Sequence, residues 1–265
     1  MTQKKPANNL NLALVFIFVV LFFASISIFF KIFFLVKDSS FDADHNFNLE
    51  VKDATNINLI SFSPKDKTIF VLEVDPKVKT NNAGQFFKLP IDARVNLFDD
   101  EFENNHIGRM LIKSSFSFSK KLENMTILDA FRLALFARTV SGGSLEVKKL
   151  SESLANTNDY VLIESGFKDN LIDKEQKTIE IINATDTFGF GSRLATLVTN
   201  IGGDVILVGT KEKASKSKII FTGDDSYTVK RLSKYLNIQS EKGEKDSVAD
   251  IIIIIGEDLL ENIKF

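Results

Sequence analysis

Hydrophobic residues are spread unevenly along the chain, and one continuous run stands near its start. The stretch Leu10–Phe30 has only Asn11, Ser25 and Ser27 as polar residues, and apolar character continues to Val36. A helix of about 20 apolar residues crosses a bilayer core of about 30 Å. The run is too long for the apolar part of a cleaved signal peptide, and its small-residue cluster ASIS is followed by more apolar residues. The pattern predicts a signal anchor that contacts the lipid bilayer through residues 10–36.

Charged residues on either side of this run indicate its orientation. Lys4, Lys5 and the amino terminus precede the run, whereas Lys31 and Lys37 lie near its other end. Short basic tails preferentially remain in the cytoplasm. We therefore predict a cytoplasmic tail over residues 1–9 and an extracytoplasmic location for the bulk of the chain.

The segment after the anchor changes from a polar stretch to β-type patterns. Residues 37–56, which include DSSFDADHN, predict a linker. The runs INLISFSP and KTIFVLEVDP flank the turn residues Pro64, Lys65 and Asp66, and this arrangement predicts a β-hairpin. A further β-type piece, DYVLIES, covers residues 159–165. With the helices described next, these elements predict a small α/β region over residues 57–172.

Two helices are predicted within this region. The first covers Ile107–Phe116 and the second covers Thr126–Val140. Thr126 followed three residues later by Asp129 resembles a capping box, although Glu or Gln is the usual partner. An apolar face of a helix normally packs on the core. In the second helix this face consists of Ile127, Leu128, Phe131, Ala134 and Leu135.

The most regular pattern begins at Thr178 and predicts the order β-α-β-β-α-β. TIEIINA, DVILVGT and SKIIFTG are predicted strands, and SEKGEKDS is predicted to be a solvated loop. Ile251–Ile255 is apolar on both faces and predicts a central strand. We therefore predict an α+β protein: an N-terminal transmembrane helix, the small α/β region, and a two-layer domain over residues 173–265. The residues expected on the buried sides of its two helices are Leu194, Leu197, Val198, Ile201, Val229, Leu232 and Leu236.

Composition and charge exclude several classes of function. The chain has 33 basic and 35 acidic residues and a formal net charge of -2, so no global field attracts nucleic acid and we predict no nucleic-acid partner. It has no cysteine, which excludes disulfides, thiolate metal sites and cysteine nucleophiles. His45 and His106 lie alone in polar loops, without the spacing of a metal site or a catalytic triad. We expect no metal and no cofactor.

The glycine-containing loop after the Thr178 strand is the strongest candidate for a binding site. It does not fit a dinucleotide fingerprint, because Leu194 stands where glycine or alanine is needed, and it lacks the Gly-Lys-Ser/Thr of a Walker loop. Exposed amides at a helix start can still hold an anion. The alternative is a strand-to-helix turn that needs glycine for backbone reasons. The candidate binding residues are Asn183, Thr185, Gly189, Gly191, Ser192 and Arg193.

Residues Thr178–Leu259 resemble the C-terminal domain of the LytR-CpsA-Psr proteins of bacterial envelopes. The resemblance is carried by IEIINAT, GSRLATLVTNIGGDVILVG, SYTVKRLSKYL and ADIIIIIGEDL, which occur in the order found in the family. Ala184 stands where the family usually has glycine, and Ser192–Leu194 is a variant of its usual Gly-Leu-Ala. The resemblance implies a membrane-anchored envelope protein.

Residues 57 to about 105 are similar to a degenerate version of the catalytic domain of the same family. INLISFSPKDKTIFVLEVDP corresponds to paired strands that normally lead into a Pro-Arg-Asp motif. In active members, arginines and aspartates bind a metal ion and the pyrophosphate of a lipid-linked glycopolymer. Here the next residues are VDPKVKT, without arginine, and Arg94, Arg109, Arg132 and Arg138 are scattered. Because a pyrophosphate clamp needs several convergent charges, the comparison implies that this chain has not inherited the catalysis.

Three interpretations follow from these observations. The first is a single-pass, non-enzymatic envelope protein whose C-terminal domain binds a cell-wall polymer or an envelope protein. The second is a transferase that attaches lipid-linked glycopolymers to peptidoglycan through a rearranged site, and the missing arginines favour the first interpretation. The third is a regulator that faces the cytoplasm, which needs the reversed orientation and a nucleic-acid patch that the charge pattern does not show.

Overall fold

The computed structural model describes residues 9–262 except residues 79, 81, 99, 117–120, 152–165 and 245–246. Most of the predicted tail and the β-type piece at 159–165 lie outside the described residues.

A long helix, α1 (Asn9–Lys37), begins the described part of the chain. From Ala13 to Lys37 its side chains are exposed, and this stretch is long and apolar enough to cross a membrane. The hydroxyl of Ser25 donates to the carbonyl oxygen of Leu21 at 2.8 Å, so it is satisfied within the helix, as hydrocarbon surroundings require. The structure therefore agrees with a membrane anchor at this end of the chain.

The next part of the chain forms a mixed six-stranded sheet in the order β5-β4-β1-β2-β3-β6. Pairs β1–β2, β2–β3 and β4–β5 are antiparallel, and pairs β1–β4 and β3–β6 are parallel. The predicted hairpin is confirmed as β2 and β3, in which Ile57 lies opposite Val74. The strands are β1 (Phe47–Lys52), β2 (Ile57–Ser63), β3 (Thr68–Val74), β4 (Ala93–Asn96), β5 (Lys121–Glu123) and β6 (Leu145–Leu150).

Helices cover both faces of this sheet. On one face α3 (Ile107–Phe116) and α4 (Ile127–Thr139) share a core with Leu49, Val71 and their neighbours. On the other face, α2 (Ala83–Phe87) packs in a second core. Both helices predicted from the sequence are therefore present. The capping box at α4 is also confirmed, since Thr126 and Asp129 each bond the other's backbone N–H.

The linker predicted over residues 37–56 is wrong for its second half. Phe47–Lys52 is β1, which lies inside the sheet between β4 and β2 and is almost wholly buried. The sequence FNLEVK alternates apolar and polar residues, a strand signal that the linker prediction overlooked. The polar positions are nevertheless buried with the apolar ones. The carboxylate of Glu50 lies 3.6 Å from the Arg94 guanidinium, and the backbone N–H of Asn48 donates to the Asp92 carboxylate at 2.7 Å. Pairing with a cation lets the Glu50 carboxylate lie inside the protein.

The apolar face predicted for α4 is correct at Ala134 but wrong at Ile127, Phe131 and Leu135, which are exposed. The buried residues of this helix are Asp129, Ala130, Leu133 and Ala134. Ala134 is small where α3 approaches: a Cβ on Gly108 would lie 3.0 Å from the carbonyl oxygen of Ala134.

The C-terminal part forms a mixed five-stranded sheet in the order β10-β9-β11-β7-β8. β11 is central, as predicted from its apolar character on both faces. The loop predicted at SEKGEKDS is wrong over Ser240–Lys242, which is an exposed edge strand, and edge strands tolerate charged side chains. The elements are α5 (Asn170–Glu175), β7 (Thr178–Asn183), α6 (Phe190–Asn200), β8 (Asp204–Thr210), β9 (Lys218–Phe221), α7 (Tyr227–Leu236), β10 (Ser240–Lys242), β11 (Ile251–Ile255) and α8 (Glu257–Asn262).

A single apolar core lies under α6 and α7 in this part. All seven helix residues that the sequence predicts to be buried lie in it. Helix α5 belongs to the same unit, because Ile172 packs in this core and the Glu175 carboxylate accepts the amides of Tyr227 and Thr228 at the start of α7, at 2.9 and 2.8 Å. The boundary predicted between residues 172 and 173 thus falls inside a helix.

Buried polar contacts join the two sheets. The Asn200 side chain at the end of α6 donates to the carbonyl oxygens of Phe87 and Lys88, at 3.1 and 2.9 Å. The Arg231 guanidinium of α7 donates to the carbonyl oxygen of Asn46 at 2.7 Å. Because such bonds are directional and shielded from water, they fix how the C-terminal unit sits on the first sheet.

Candidate binding surface

The loop predicted to bind a ligand joins the end of β7 to the start of α6. Asn183 is the last residue of β7, and Phe190 is the first residue of α6. The other predicted residues lie in the connection (Thr185 and Gly189) or in the first turn of α6 (Gly191, Ser192 and Arg193). The structure therefore brings them together in one short segment at one end of the sheet.

The polar side chains of the loop bond chiefly to the loop itself. The Asn183 amide nitrogen donates to the carbonyl oxygen of Thr187 at 3.0 Å, and its oxygen accepts from the Thr185 hydroxyl at 2.8 Å. The Thr185 hydroxyl in turn accepts the Thr187 amide at 3.1 Å. Turns built from Asn and Thr side chains have this pattern. Asn183 and Thr185 therefore shape the loop and present few free groups to a ligand.

Gly189 and Gly191 meet different structural requirements, one of backbone conformation and one of close packing. Gly189 has a φ of 74° and lies directly before α6, in the left-handed region that favours glycine. Gly191 is buried, and a Cβ there would lie 3.2 Å from Val208 Cγ1 and 3.3 Å from Asn183 Cβ. Gly191 thus lets α6 pack closely on β7 and β8. Both glycines fit the interpretation of a strand-to-helix turn.

The outer surface of the loop carries an aromatic residue and a cation. Phe188 at the tip is fully exposed. The Arg193 guanidinium lies 5.3 Å from the centre of the Phe190 ring, a cation–π distance. Ser192 is exposed beside it. Sequence reasoning included Arg193 and Ser192 but missed Phe188, although an exposed aromatic in a glycine loop is a usable signal.

An open strand edge lies next to this loop, and sequence reasoning missed it. β8 is the last strand of its sheet, and among the described residues no strand pairs with its outer edge. Three consecutive apolar residues of β8, Ile206, Leu207 and Val208, are each nearly half exposed. Exposed apolar edge strands are usual sites of strand addition. The order of strands and helices along the sequence does not show which strand lies at the edge of the sheet.

Comparison with known proteins identifies this part of the chain. Residues 176–259 match the family model described as LytR cell envelope-related transcriptional attenuator. This range contains β7 to β11 and the loop described above. Residues 176–259 form a LytR C-terminal domain. No curated protein matches the chain.

Solved structures with distant similarity to the chain include three bacterial proteins. A transcriptional regulator from Enterococcus faecalis is 11% identical, with 77% of this chain and 92% of that chain covered and a TM-score of 0.20. A Listeria innocua protein is 9% identical, with 82% and 94% covered and a TM-score of 0.19. TagT from B. subtilis is 11% identical, with 84% and 89% covered and a TM-score of 0.19. The domain assignment rests on the family model alone.

Outside the LytR C-terminal domain, a cavity of about 510 Å³ opens beside the segment that follows β3. Three carboxylates line it, those of Asp53, Glu73 and Asp75, and the Lys149 ammonium group lies 3.2 Å from Glu73. Among the described residues, no arginine lines this cavity. Its charge is therefore unfavourable for a pyrophosphate, since nearby carboxylates repel an anion.

Two of the scattered arginines meet at a different cavity. Arg109 of α3 and Arg138 of α4 both line a space of about 390 Å³ at the other end of β3, next to Ile69. The packing of α3 against α4 places these two arginines together, although they are 29 positions apart in the sequence. Arg94 bonds Asn82 and lies near Glu50, and Arg132 bonds the backbone at Phe41.

Proposed function

We propose that this protein is a single-pass, membrane-anchored envelope protein that acts without catalysis, on the extracytoplasmic side of the membrane. Its LytR C-terminal domain binds a cell-wall polymer or an envelope protein. The family match and the apolar helix α1 support the envelope location. The orientation follows from the basic tail at Lys4 and Lys5.

The observation that carries the binding role is the open surface of β8 and the neighbouring loop. Ile206, Leu207 and Val208 are exposed along the strand, and Phe188 stands exposed at the loop tip. An extended partner can add its backbone to the outer edge of β8 while its apolar side chains contact these residues. Arg193 adds a cation suited to an anionic group. Of the six loop residues named from the sequence, Ser192 and Arg193 are exposed on this proposed surface. Thr185 and Gly189 are half-buried, and Asn183 and Gly191 are buried and support the loop from beneath.

The acidic cavity beside β3 favours binding over transfer. A transferase acting on a lipid-linked pyrophosphate needs convergent cations at the reacting phosphates. The cavity beside β3 is instead lined by three carboxylates, and the Lys149 ammonium group lies next to the carboxylate of Glu73. The competing function, attachment of lipid-linked glycopolymers to peptidoglycan, would have to use the Arg109–Arg138 cavity instead.

A binding screen with the full chain in nanodiscs tests the proposal. The samples are peptidoglycan fragments, anionic wall polymers and extracts of envelope proteins, and the variants are Phe188→Ser, Val208→Lys and Arg193→Ala. Val248→Lys serves as the control, because it is the same substitution at another exposed valine that lies outside the surface. We expect the first two variants to lose binding while the control retains it. Equal binding by all variants would exclude this surface.

Two further measurements address orientation and catalysis. Protease added to intact cells should digest the LytR C-terminal domain, and protection of this domain would reverse the proposed orientation. The full chain should release no polymer from a labelled polyprenyl-pyrophosphate glycan. Transfer of the label to peptidoglycan would instead establish the competing function.

A further inference from the structure

Helix α4 exposes a stripe of large apolar side chains. Ile127, Phe131 and Leu135 are 48%, 51% and 44% exposed. They are spaced four residues apart, so they lie above one another on one face of the helix. The opposite face is already packed against α3 and the first sheet. The stripe is therefore a second apolar surface of a helix that has a core of its own.

This helix is bonded directly to the chain that leaves α1. The Asp129 carboxylate accepts the Ser39 hydroxyl at 2.5 Å and the Phe41 amide at 2.9 Å. Arg132 donates to the Ser39 hydroxyl oxygen and to the carbonyl oxygen of Phe41, each at 3.2 Å. Only Asp38 separates Ser39 from the last residue of α1, Lys37. Two extended residues cover about 7 Å at most, so the first turns of α4 lie close to the end of α1.

The charges on α4 suit an anionic surface. Its only acidic residue is Asp129, which is fully buried and bonded. Arg132 and Arg138 are exposed. Arg138 lies eleven residues after Ile127, which is about three turns, so it shares the face of the stripe. An apolar stripe bordered by arginines is the composition of helices that lie in a membrane interface.

We propose that α4 lies in the headgroup region of the bilayer that α1 crosses, with Ile127, Phe131 and Leu135 in contact with lipid. This proposal rests on the membrane anchoring in the proposed function. The occupant follows from continuity with α1, because the residues between α1 and the first sheet hold α4 next to the membrane. Arg138 then faces anionic lipid headgroups, while Arg132 holds the segment at Ser39 and Phe41. The contact orients the first sheet, and with it the LytR C-terminal domain, relative to the membrane plane.

Fluorescence quenching in vesicles tests the contact. Because the sequence has no cysteine, single-cysteine variants of the full chain each carry one environment-sensitive label. The labelled variants are Phe131→Cys on the stripe, Ile28→Cys within α1, and Val248→Cys, which is exposed on the C-terminal domain. The vesicles contain phosphatidylcholine and phosphatidylglycerol, with or without nitroxide-bearing lipid.

We expect nitroxide lipid to lower the emission of the labels at positions 28 and 131 and to leave that at position 248 unchanged. A label on Leu135→Cys should lose its quenching when Ile127 and Phe131 are both changed to Ser. Arg138→Gln, or omission of phosphatidylglycerol, should weaken the quenching at position 131. Circular dichroism checks that each variant folds, and the exposed positions of these side chains favour folding.

The other outcomes separate this proposal from the anchor itself. Quenching at position 28 without quenching at position 131 overturns the α4 proposal and leaves the anchor intact. Absence of quenching at both positions overturns the anchor and, with it, this proposal. A label at position 131 that is shielded from water but not quenched by lipid indicates a second copy of the chain on the stripe, which also overturns the proposal.

Discussion

Replacement of Arg231 with leucine should loosen the attachment of the LytR C-terminal domain. The Arg231 side chain is almost fully buried, and besides its bond to Asn46 it lies 3.9 Å from the carboxylates of both Asp92 and Asp169. The variant leaves two shielded carboxylates without their cation. Burial raises the pKa of Asp92 despite the opposing effect of Arg231, so the ionised form of Asp92 is already disfavoured.

The size of the effect follows from these contacts. Removal of one partner from a buried charge pair costs about 3–5 kcal/mol. Distances of 3.9 Å are long for ion pairs, so we expect the lower end, about 3 kcal/mol, with about 1 kcal/mol of it from the lost bond to Asn46. For a protein of this size 1 kcal/mol changes Tm by about 2–4 °C, which gives a decrease of about 6–12 °C.

Thermal unfolding of the full chain in nanodiscs, followed by circular dichroism, measures this decrease. Lys234→Leu is the matched control, because Lys234 lies one turn later on α7 and its ion pair with Asp42 is exposed, so it should cost less than about 1 kcal/mol. A carboxyl group whose pKa is raised in the folded protein destabilises the fold when it is ionised at higher pH. Protonation of Asp92 as pH falls should therefore reduce the difference in Tm between Arg231→Leu and the unsubstituted protein. Equal decreases in Tm for the two variants, or a deficit that grows in acid, would refute the reasoning.

Three further predictions concern other contacts. Asn200→Ala removes the side-chain hydrogen bonds to the carbonyl oxygens of Phe87 and Lys88 and should lower the free energy of unfolding by about 2 kcal/mol in urea titrations. An unchanged midpoint would contradict this. Gly256→Ala places a Cβ 2.5 Å from the carbonyl carbon of Lys216 and should cost about 2 kcal/mol, whereas Gly209→Ala, which meets nothing, should be neutral in the same titration. Burial raises the pKa of Asp129, but bonds from Ser39, Thr126 and the Phe41 amide outweigh it and lower the pKa. The stabilisation by Asp129 is therefore fully present above the unfolded-state pKa and lost as pH falls through the lower folded-state pKa. The protection factor of the Phe41 amide, its exchange rate relative to an unstructured peptide at the same pH, should therefore fall in acid, and it should already be low at neutral pH in Asp129→Asn.

The C-terminal elements could be predicted because their sequence is locally consistent. Leu194, Leu197 and Val198 have a helical spacing, and the helix ends at two glycines. Ile251–Ile255 can only be an inner strand, since every residue in it is apolar. Local pattern and tertiary environment agree at these positions, so the sequence was sufficient.

The first domain was harder to predict because its pattern depends on tertiary contacts. The Glu50 carboxylate and the backbone N–H of Asn48 in β1 have their partners, Arg94 and Asp92, more than forty positions later in the chain. In α4 the large residues Ile127, Phe131 and Leu135 are outside, whereas Leu133 is inside with Ala134, which is small where α3 approaches. No periodicity argument contains either kind of information.

The surface of the LytR C-terminal domain was only partly predictable. The loop followed from its glycines, but the open edge of β8 depends on the order of strands in the sheet. The meeting of Arg109 and Arg138 at one cavity likewise depends on how two helices pack. Such juxtapositions are properties of topology, and residue types alone do not reveal them.

The bonds from Asp129 and Arg132 to Ser39 and Phe41 also limit how far the protein can search for a partner. A long flexible tether would let the LytR C-terminal domain reach a volume that grows steeply with tether length. The local concentration of its binding surface would fall as that volume grows. Here the connection is a few residues long and bonded at both Ser39 and Phe41. With α1 anchored in a bilayer as proposed, the LytR C-terminal domain would sample a thin layer parallel to the membrane and would meet its proposed partner by lateral diffusion of the whole molecule.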